Sequence, residues 1–361
     1  MAYLAFADSF QFYDLPTQAN QLYNSADFKY GNGNNVLPGS TLLPGSNYGA
    51  GQFTLPSEVS ELTVGLRWQT PEIFFAPFEF ANSASGFGFA IEPVGDGRFT
   101  FVAGLAGSRN AGVITTKSIR AWTWYYFELH VSAARHHQPY VPATMTTPAI
   151  FEAYSVECFY DFYVNGEAWV SGQFLESPQR RTVGDGNVGD NPWIQHLNVS
   201  SVYIHSIPGI MTDFYVTTTG FDPLGDVQVV PLYPTGDHDT QWTPLAGTSH
   251  YQQVDTHPPT GSTYNIATSA GLEDSYTLQQ LPAFTGEIKG SVAIWYMSLS
   301  DPGAGAAFGY YNNDSKATGL FYPSFGSWGF TYDAWRYFPF TSTEWTQAQV
   351  NSLALGIARF T

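Results

Sequence analysis

The stretch from Tyr154 to Gly172 limits the fold more tightly than any other part of the chain, because strand, turn and return strand are all legible in it. From Val156 to Val164 the residues alternate: Val156, Cys158, Tyr160, Phe162 and Val164 share one face, and Glu157, Phe159, Asp161 and Tyr163 share the other. That is the pattern of a half-buried strand. Asn165-Gly166 follows, a pair that tolerates positive φ at both centres of a two-residue hairpin turn, and Glu167–Ser171 returns with Ala168 and Val170 flanking Trp169. The segment predicts an antiparallel sheet with carboxylates and aromatics on the face opposite the aliphatic one.

Composition extends this reading to the whole chain. The 361 residues include 35 Gly, 23 Pro, 10 Trp, 23 Tyr and 28 Phe, and only 12% are charged. Gly and Pro interrupt helices while aromatics suit strands, so the composition predicts an all-β chain with many turns, and the length suggests about two domains. A formal charge of −17 repels phosphate backbones, which argues against a nucleic-acid partner. Cys158 is the only cysteine, so an intrachain disulfide and a multi-cysteine zinc site are both excluded, and its place on the aliphatic face predicts a small buried hydrophobe. Met1–Phe10 lacks a basic leader region and contains Asp8, so it does not read as a signal peptide. No stretch approaches the roughly 20 apolar residues of a helical membrane span, and no membrane insertion is expected.

Along the chain, Met1–Phe12 reads as a first strand and Tyr23–Gly51 as loops with short strands. Leu62–Trp68, Ile73–Phe80, Phe87–Ile91, Phe99–Ala103 and Trp122–Val131 read as strands, the last with Tyr125, Phe127, Leu129 and Val131 on one face and Tyr126, Glu128 and His130 on the other. Arg135–Pro148, with His136-His137 and three prolines, reads as an inserted loop, and Glu176–Pro192 as a polar one. Val199–Ile204 and Thr212–Thr217 close the first domain, residues 1–219. A second domain, residues 220–361, is expected to begin with a strand at Val227–Leu232 and to continue with strands at Tyr264–Ala267, Tyr276–Leu281, Gly290–Leu299 and Ala306–Tyr311. Near its end Thr346 and Gln349 form a capping-box pattern, and Val350, Leu353, Ala354 and Ile357 follow helical spacing up to a stop at Gly356.

The first domain, with many short strands and the late hairpin Asp161–Trp169, resembles the concanavalin A-like or laminin G-like jelly roll. The second half carries Gly225-Asp226-Val227-Gln228-Val229, Leu232-Tyr233-Pro234, Gln241-Trp242-Thr243-Pro244, Val254-Asp255 to Tyr264-Asn265, Asp274-Ser275-Tyr276, and Trp345-Thr346 with Val350-Asn351 and Gly356. With Asp213 opening Asp213-Phe214-Tyr215-Val216 ahead of it, this run is similar in order and spacing to tailed-bacteriophage structural proteins, often labelled minor tail or virion proteins. The resemblance implies a virion component made in the host cytoplasm, tail-associated or decorating the capsid, and no particular reaction.

Several chemistries can be weighed on the residues. Laminarinase-like enzymes share the jelly roll and carry Glu, Asp and Glu on one strand face; here Glu157, Phe159 and Asp161 occupy the comparable positions. Four residues of strand separate the two carboxylates by about 13 Å, against about 5.5 Å for retaining and up to about 9.5 Å for inverting glycosidases, so this pair does not predict hydrolysis. The same face suits sugar binding instead, since aromatic rings stack on pyranose faces and carboxylates accept hydroxyl hydrogens; Glu157, Phe159, Asp161, Tyr163 and Trp169 are the candidates. No cofactor is required, although Asp185, Asn187 and Asp190, or Asp237 and Asp239, offer oxygen atoms for calcium without the spacing of an EF-hand loop. Adjacent His136 and His137 would point to opposite faces of a strand and lack a third ligand at metal spacing.

The reading that follows is a non-enzymatic, all-β bacteriophage structural protein of two β-sandwich or jelly-roll domains with a short C-terminal helix, which binds other virion proteins through aromatic surfaces and assembles as a homo-oligomer, a trimer in the first instance, with host surface polysaccharide as a further contact. The rival readings are a carbohydrate-binding host adhesin and a glycan hydrolase.

Overall fold

A computed structural model describes residues 3–8, 28–30, 42–44, 50–70, 78–81, 87–105, 110–138, 153–180, 199–205, 210–218, 223–255, 259, 261–299, 306–312, 315–321 and 326–359. The chain separates into two compact units, one formed by Met1–Ala5, Tyr23–Gly31 and Leu42–Val227 and the other by Phe6–Leu22, Asn32–Thr41 and Gln228–Thr361.

The strands up to residue 218 are β1 (Tyr3–Asp8), which begins in the first unit, and, within that unit, β2 (Phe28–Tyr30), β3 (Leu42–Pro44), β4 (Ala50–Val59), β5 (Glu61–Gln69), β6 (Phe78–Ala81), β7 (Phe87–Pro93), β8 (Phe99–Leu105), β9 (Asn110–Ile114), β10 (Trp124–Gln138), β11 (Ala153–Val164), β12 (Glu167–Arg180), β13 (Val199–His205) and β14 (Ile210–Thr218). They form two six-stranded sheets, ordered β1-β14-β5-β10-β11-β12 and β4-β13-β6-β7-β8-β9. Aromatic contacts join the inner faces: Phe101 of β8 stacks on Tyr160 of β11 at 3.9 Å, Phe99 meets Phe127 and Phe162 edge-on, and Phe53 meets Phe214. This is a β-sandwich, with Leu62, Val64, Leu66 and Trp68 of β5 and Phe127, Leu129 and Val131 of β10 buried between the sheets.

The hairpin predicted from sequence is present. Asn165 and Gly166 take φ of 51° and 75°, and Cys158, Tyr160, Phe162 and Val164 are buried on one face. Burial pushes the Cys158 thiol well above the usual thiol range, consistent with a packing role. Asn165 also exchanges hydrogen bonds with the Tyr126 backbone, its side chain accepting from the Tyr126 amide at 2.8 Å and its own amide donating to the Tyr126 carbonyl at 2.7 Å. The turn thereby pins β10 as well as joining β11 to β12.

The second unit contains β15 (Pro234–Thr240), β16 (Thr243–Pro244), β17 (Asn265–Ile266), β18 (Glu273–Leu278), β19 (Ser291–Met297), β20 (Ala306–Asn312), β21 (Ser315–Phe321), β22 (Gly329–Trp335), helix α1 (Gln347–Ser352) and β23 (Ala354–Arg359). A five-stranded sheet, β15-β18-β23-β20-β21, carries Ile357, which packs with Met297 and Trp295 of the β19-β22 ribbon. A second cluster gathers Ala293, Phe338, Trp345 and Leu353.

Four expectations change, the first being that Glu176–Arg180, expected in a polar loop, continues β12 opposite Ala153–Val156. The strand expected at Val227–Leu232 is absent, and the first strand of this region is β15: the Val227 carbonyl accepts from Arg67 at 3.2 Å, which ties that residue to the first unit's sheet. Residues Arg135–Gln138, expected in a loop, continue β10 opposite Ala153–Val156, so β10 outlasts the aromatic pattern that announced it. The C-terminal helix has its capping box, but it ends at Ser352. Leu353 is already extended, and Ala354 to Ile357 lie in β23 between β18 and β20, because the apolar residues there fill the centre of a sheet.

Candidate functional site

The outward face of the β14-β5-β10-β11 region is built by alternation and register. With the even-numbered residues of β5 buried inside, Glu61, Thr63, Gly65 and Arg67 point outward, and pairing sets Arg67 beside Tyr126, Gly65 beside Glu128 and Thr63 beside His130. On the next strand Glu128 faces Tyr163, His130 faces Asp161 and Ser132 faces Phe159. A bulge in β14 between Thr212 and Tyr215, with Asp213 at φ 53°, lets Phe214 turn inward while Tyr215 returns opposite Gly65.

One side of this face is covered. The Tyr215 ring crosses Gly65 to reach Glu128; a Cβ at Gly65 would stand 2.0 Å from Tyr215 Cε1 and 2.6 Å from the Tyr126 hydroxyl, so only glycine leaves room. Glu128 Oε1 accepts from the Tyr215 hydroxyl and, at 3.0 Å, from the Gly225 amide, while the Leu224 amide donates to the Tyr215 hydroxyl at 3.3 Å. Arg67 donates through Nε to Asp213 at 2.8 Å and pairs with Asp226, with its guanidinium over the Tyr126 ring. Residues Leu224–Val227 therefore lie as a strap across Tyr215, Glu128 and Arg67. Burial dominates at Glu128: despite the donors from Tyr215 and the strap amides, its carboxyl is pushed up to about 7, and Oε2 has no hydrogen-bonding partner among the described residues.

Toward β11 the face opens. Thr63 is fully buried, His130 keeps 18% of its side chain exposed, Asp161 36%, and the neighbouring Phe159 is 45% exposed. His130 braces two carboxylates, its Nε2 lying 3.2 Å from Glu61 Oε1 and its Nδ1 3.5 Å from Asp161 Oδ2. A carboxylate offers about four acceptor positions, so the part-exposed Asp161 keeps acceptor capacity toward solvent. Aromatic surface beside oriented oxygen atoms is chemistry suited to sugar hydroxyls and ring faces.

Among the residues nominated from sequence, Phe159, Asp161 and Tyr163 share this outward side, and Glu157 is two positions before Phe159 on the same strand, opposite Ala134. Trp169 does not join them. The register passes from Phe162–Val170 to Tyr163–Ala168, making Trp169 the extra residue of a bulge, and its ring meets the buried Phe162 edge-on at 6.5 Å. Glu61 and Arg67 were not singled out by the sequence. The alternation had placed Tyr126, Glu128 and His130 on one face, but the neighbours of that face depend on pairing between strands far apart in sequence.

The calcium candidates Asp185, Asn187 and Asp190 lie outside the described residues. Asp237 accepts from the His250 amide at 3.2 Å and from the Tyr251 amide, and Asp239 lies beside His238 and Ser275, so these carboxylates brace the start of the second unit. No cluster of three or more potential metal ligands occurs among the described residues, and no described helix is long and apolar enough to cross a membrane.

No protein-family description matches the chain, and no curated protein matches it. Solved structures with a similar strand layout include the globular domain of T. cruzi calreticulin, at 14% identity and a TM-score of 0.34 over 59% of this chain and 87% of that one. The CBM2 module of the evolved Dit of Lactobacillus casei BL23 phage J-1 is similar at 11% identity and a TM-score of 0.31, over 62% of this chain and 98% of that one. Domain 4 of AbnA, a GH43 extracellular arabinanase from Geobacillus stearothermophilus solved with arabinotriose, is similar at 15% identity and a TM-score of 0.30, over 60% and 93% of the two chains. At these identities and TM-scores neither a fold, a family nor a ligand follows from the likeness.

Proposed function

We propose that this protein is a non-enzymatic structural component of a tailed-bacteriophage particle, and that the open side of its first sandwich contacts host surface polysaccharide. The virion part is supported by the likeness of the sequence from Asp213 to Gly356 to phage structural proteins. The glycan part is carried by one observation: an exposed Phe159 stands beside the part-exposed Asp161 on the outward face of the sheet, with His130 between Asp161 and Glu61. Binding is favoured over hydrolysis because Glu157 and Asp161 stand four strand residues apart, about 13 Å, which exceeds the carboxylate spacing of either glycosidase class. In this reading the protein needs no cofactor, acts beside other virion proteins as a homo-oligomer, and uses the face as a contact surface.

The test is to probe purified protein on an array of host surface glycans beside Phe159→Ala and Asp161→Ala, and to label purified particles of the encoding phage with antibody against the chain. Dose-dependent binding that falls at least tenfold in either variant, with labelled particles, is the expected result. Binding unchanged in both variants would move recognition off this face, and unlabelled particles would remove the virion assignment.

A further inference from the structure

We propose that Leu224–Val227 is a proton-sensitive strap, held against the outer face while the Glu128 carboxyl is neutral and loosened when it ionises. The strap has two anchors. At one, Gly225 donates to Glu128 Oε1, which also accepts from Tyr215, while Leu224 donates to the Tyr215 hydroxyl. At the other, Arg67 holds Asp226 and the Val227 carbonyl and is itself held by Asp213. At the second anchor Arg67 stays charged over the neutral range, being raised above its already high ordinary value. The first cannot remain indifferent to pH.

Glu128 is 1% exposed, and its Oε2 has no hydrogen-bond partner among the described residues. An ionised carboxylate there would leave one charged oxygen desolvated and unpaired, whereas the neutral acid removes that charge. The donors from Tyr215 and Gly225 favour the ionised form but are outweighed by burial, and the remaining groups around it do not reverse this. On its own strand stand Tyr126 and His130, across β5 stands Arg67 beyond Gly65, on β14 stand Tyr215 and Asp213, on β11 stands Tyr163, and the strap brings Asp226. Arg67 is engaged by Asp213 and Asp226, and Asp226 disfavours a second negative charge at Glu128. With the strap lifted, water reaches the carboxyl and an ordinary carboxylate titration is expected. Closure is therefore coupled to proton uptake, strongest in mild acid and weakened progressively as pH rises to neutrality. Lifting the strap would also uncover the Tyr215 and Tyr126 rings beside the open side of the face.

Hydrogen exchange at the Gly225 amide of the full chain reads the strap directly, once intrinsic exchange at each pH is divided out with an unstructured peptide of the same sequence. Between about pH 5 and about pH 7 the opening constant should rise about five- to sevenfold per unit, roughly fortyfold in total, and level off above that, while Glu128→Gln should show no such rise. An equal opening constant at pH 5 and pH 8, or the same rise in Glu128→Gln, would overturn the proposal. Should that variant fail to fold, carbon-13 titration of the Glu128 carboxyl in the unaltered protein decides the matter: a midpoint in the ordinary carboxylate range overturns it, and one near neutrality supports it.

Discussion

The first unit buries Glu128 and Asp213 and the second buries Asp274, and the surroundings of Glu128 and Asp274 differ sharply. Asp274 in the second unit is fully buried with both oxygens used: Oδ1 accepts from the Gln241 and Trp242 amides, each at 2.8 Å, and Oδ2 accepts from the Tyr276 hydroxyl at 3.0 Å and lies 2.8 Å from His250 Nδ1. Asn265 completes the network by donating to Tyr276 and to the His250 carbonyl. Glu128 in the first unit takes both of its donors on one oxygen and leaves the other unpartnered. A network satisfied on both oxygens locks one arrangement of strands, whereas a half-satisfied one leaves a group whose charge state changes the balance. The second unit thus spends its buried acid on architecture, and the first keeps one that responds to protons.

The contrast predicts effects of different size. Asp274→Ala strands two backbone amides, a tyrosine hydroxyl and an imidazole, and should cost at least about 3 kcal/mol in chemical unfolding of the full chain. The pH dependence of stability comes next. The folded carboxyl of Glu128 lies near 7 against an ordinary value of 4.5. Its contribution is therefore fully present below about pH 4.5 and is lost as pH rises through about 7, a change of roughly 3 kcal/mol that Glu128→Gln should abolish. An equal slope in that variant would place the proton uptake elsewhere. Gly65→Ala would force the Tyr215 ring off its path to Glu128 and should cost about 1–3 kcal/mol by overpacking, read as a fall in melting temperature. Tyr215→Phe removes one donor to Glu128, should cost about 1 kcal/mol, and should move the carboxyl's midpoint further up in a carbon-13 titration. Phe159→Ala, at an exposed position, should change stability by no more than about 0.5 kcal/mol, which makes it a clean probe of binding.

What the sequence disclosed and what it hid follow from the range of the forces involved. The Asn165-Gly166 turn, the buried faces of β5, β10 and β11 and the capping box at Thr346 are local patterns, and each appears in the structure. The departures have non-local causes. Trp169 left its expected face because of a bulge, and Leu353 to Ile357 exchanged helical spacing for the centre of a sheet. The bridge from Glu61 through His130 to Asp161 joins three strands, and the strap reaches Arg67 across 159 positions of sequence. Such meetings are decided by strand register, which alternation within one strand does not encode. His130 and Asp161 were each visible on an outward face, but their pairing was not.

The account rests most heavily on the open side of the first sandwich as a recognition surface. Hydrogen exchange of the full chain with and without a saccharide captured from the glycan array localises that contact directly. The account predicts added protection in Glu157–Tyr163 and at His130–Ser132, lost in Phe159→Ala. Protection confined to other strands, or equal in that variant, would contradict it.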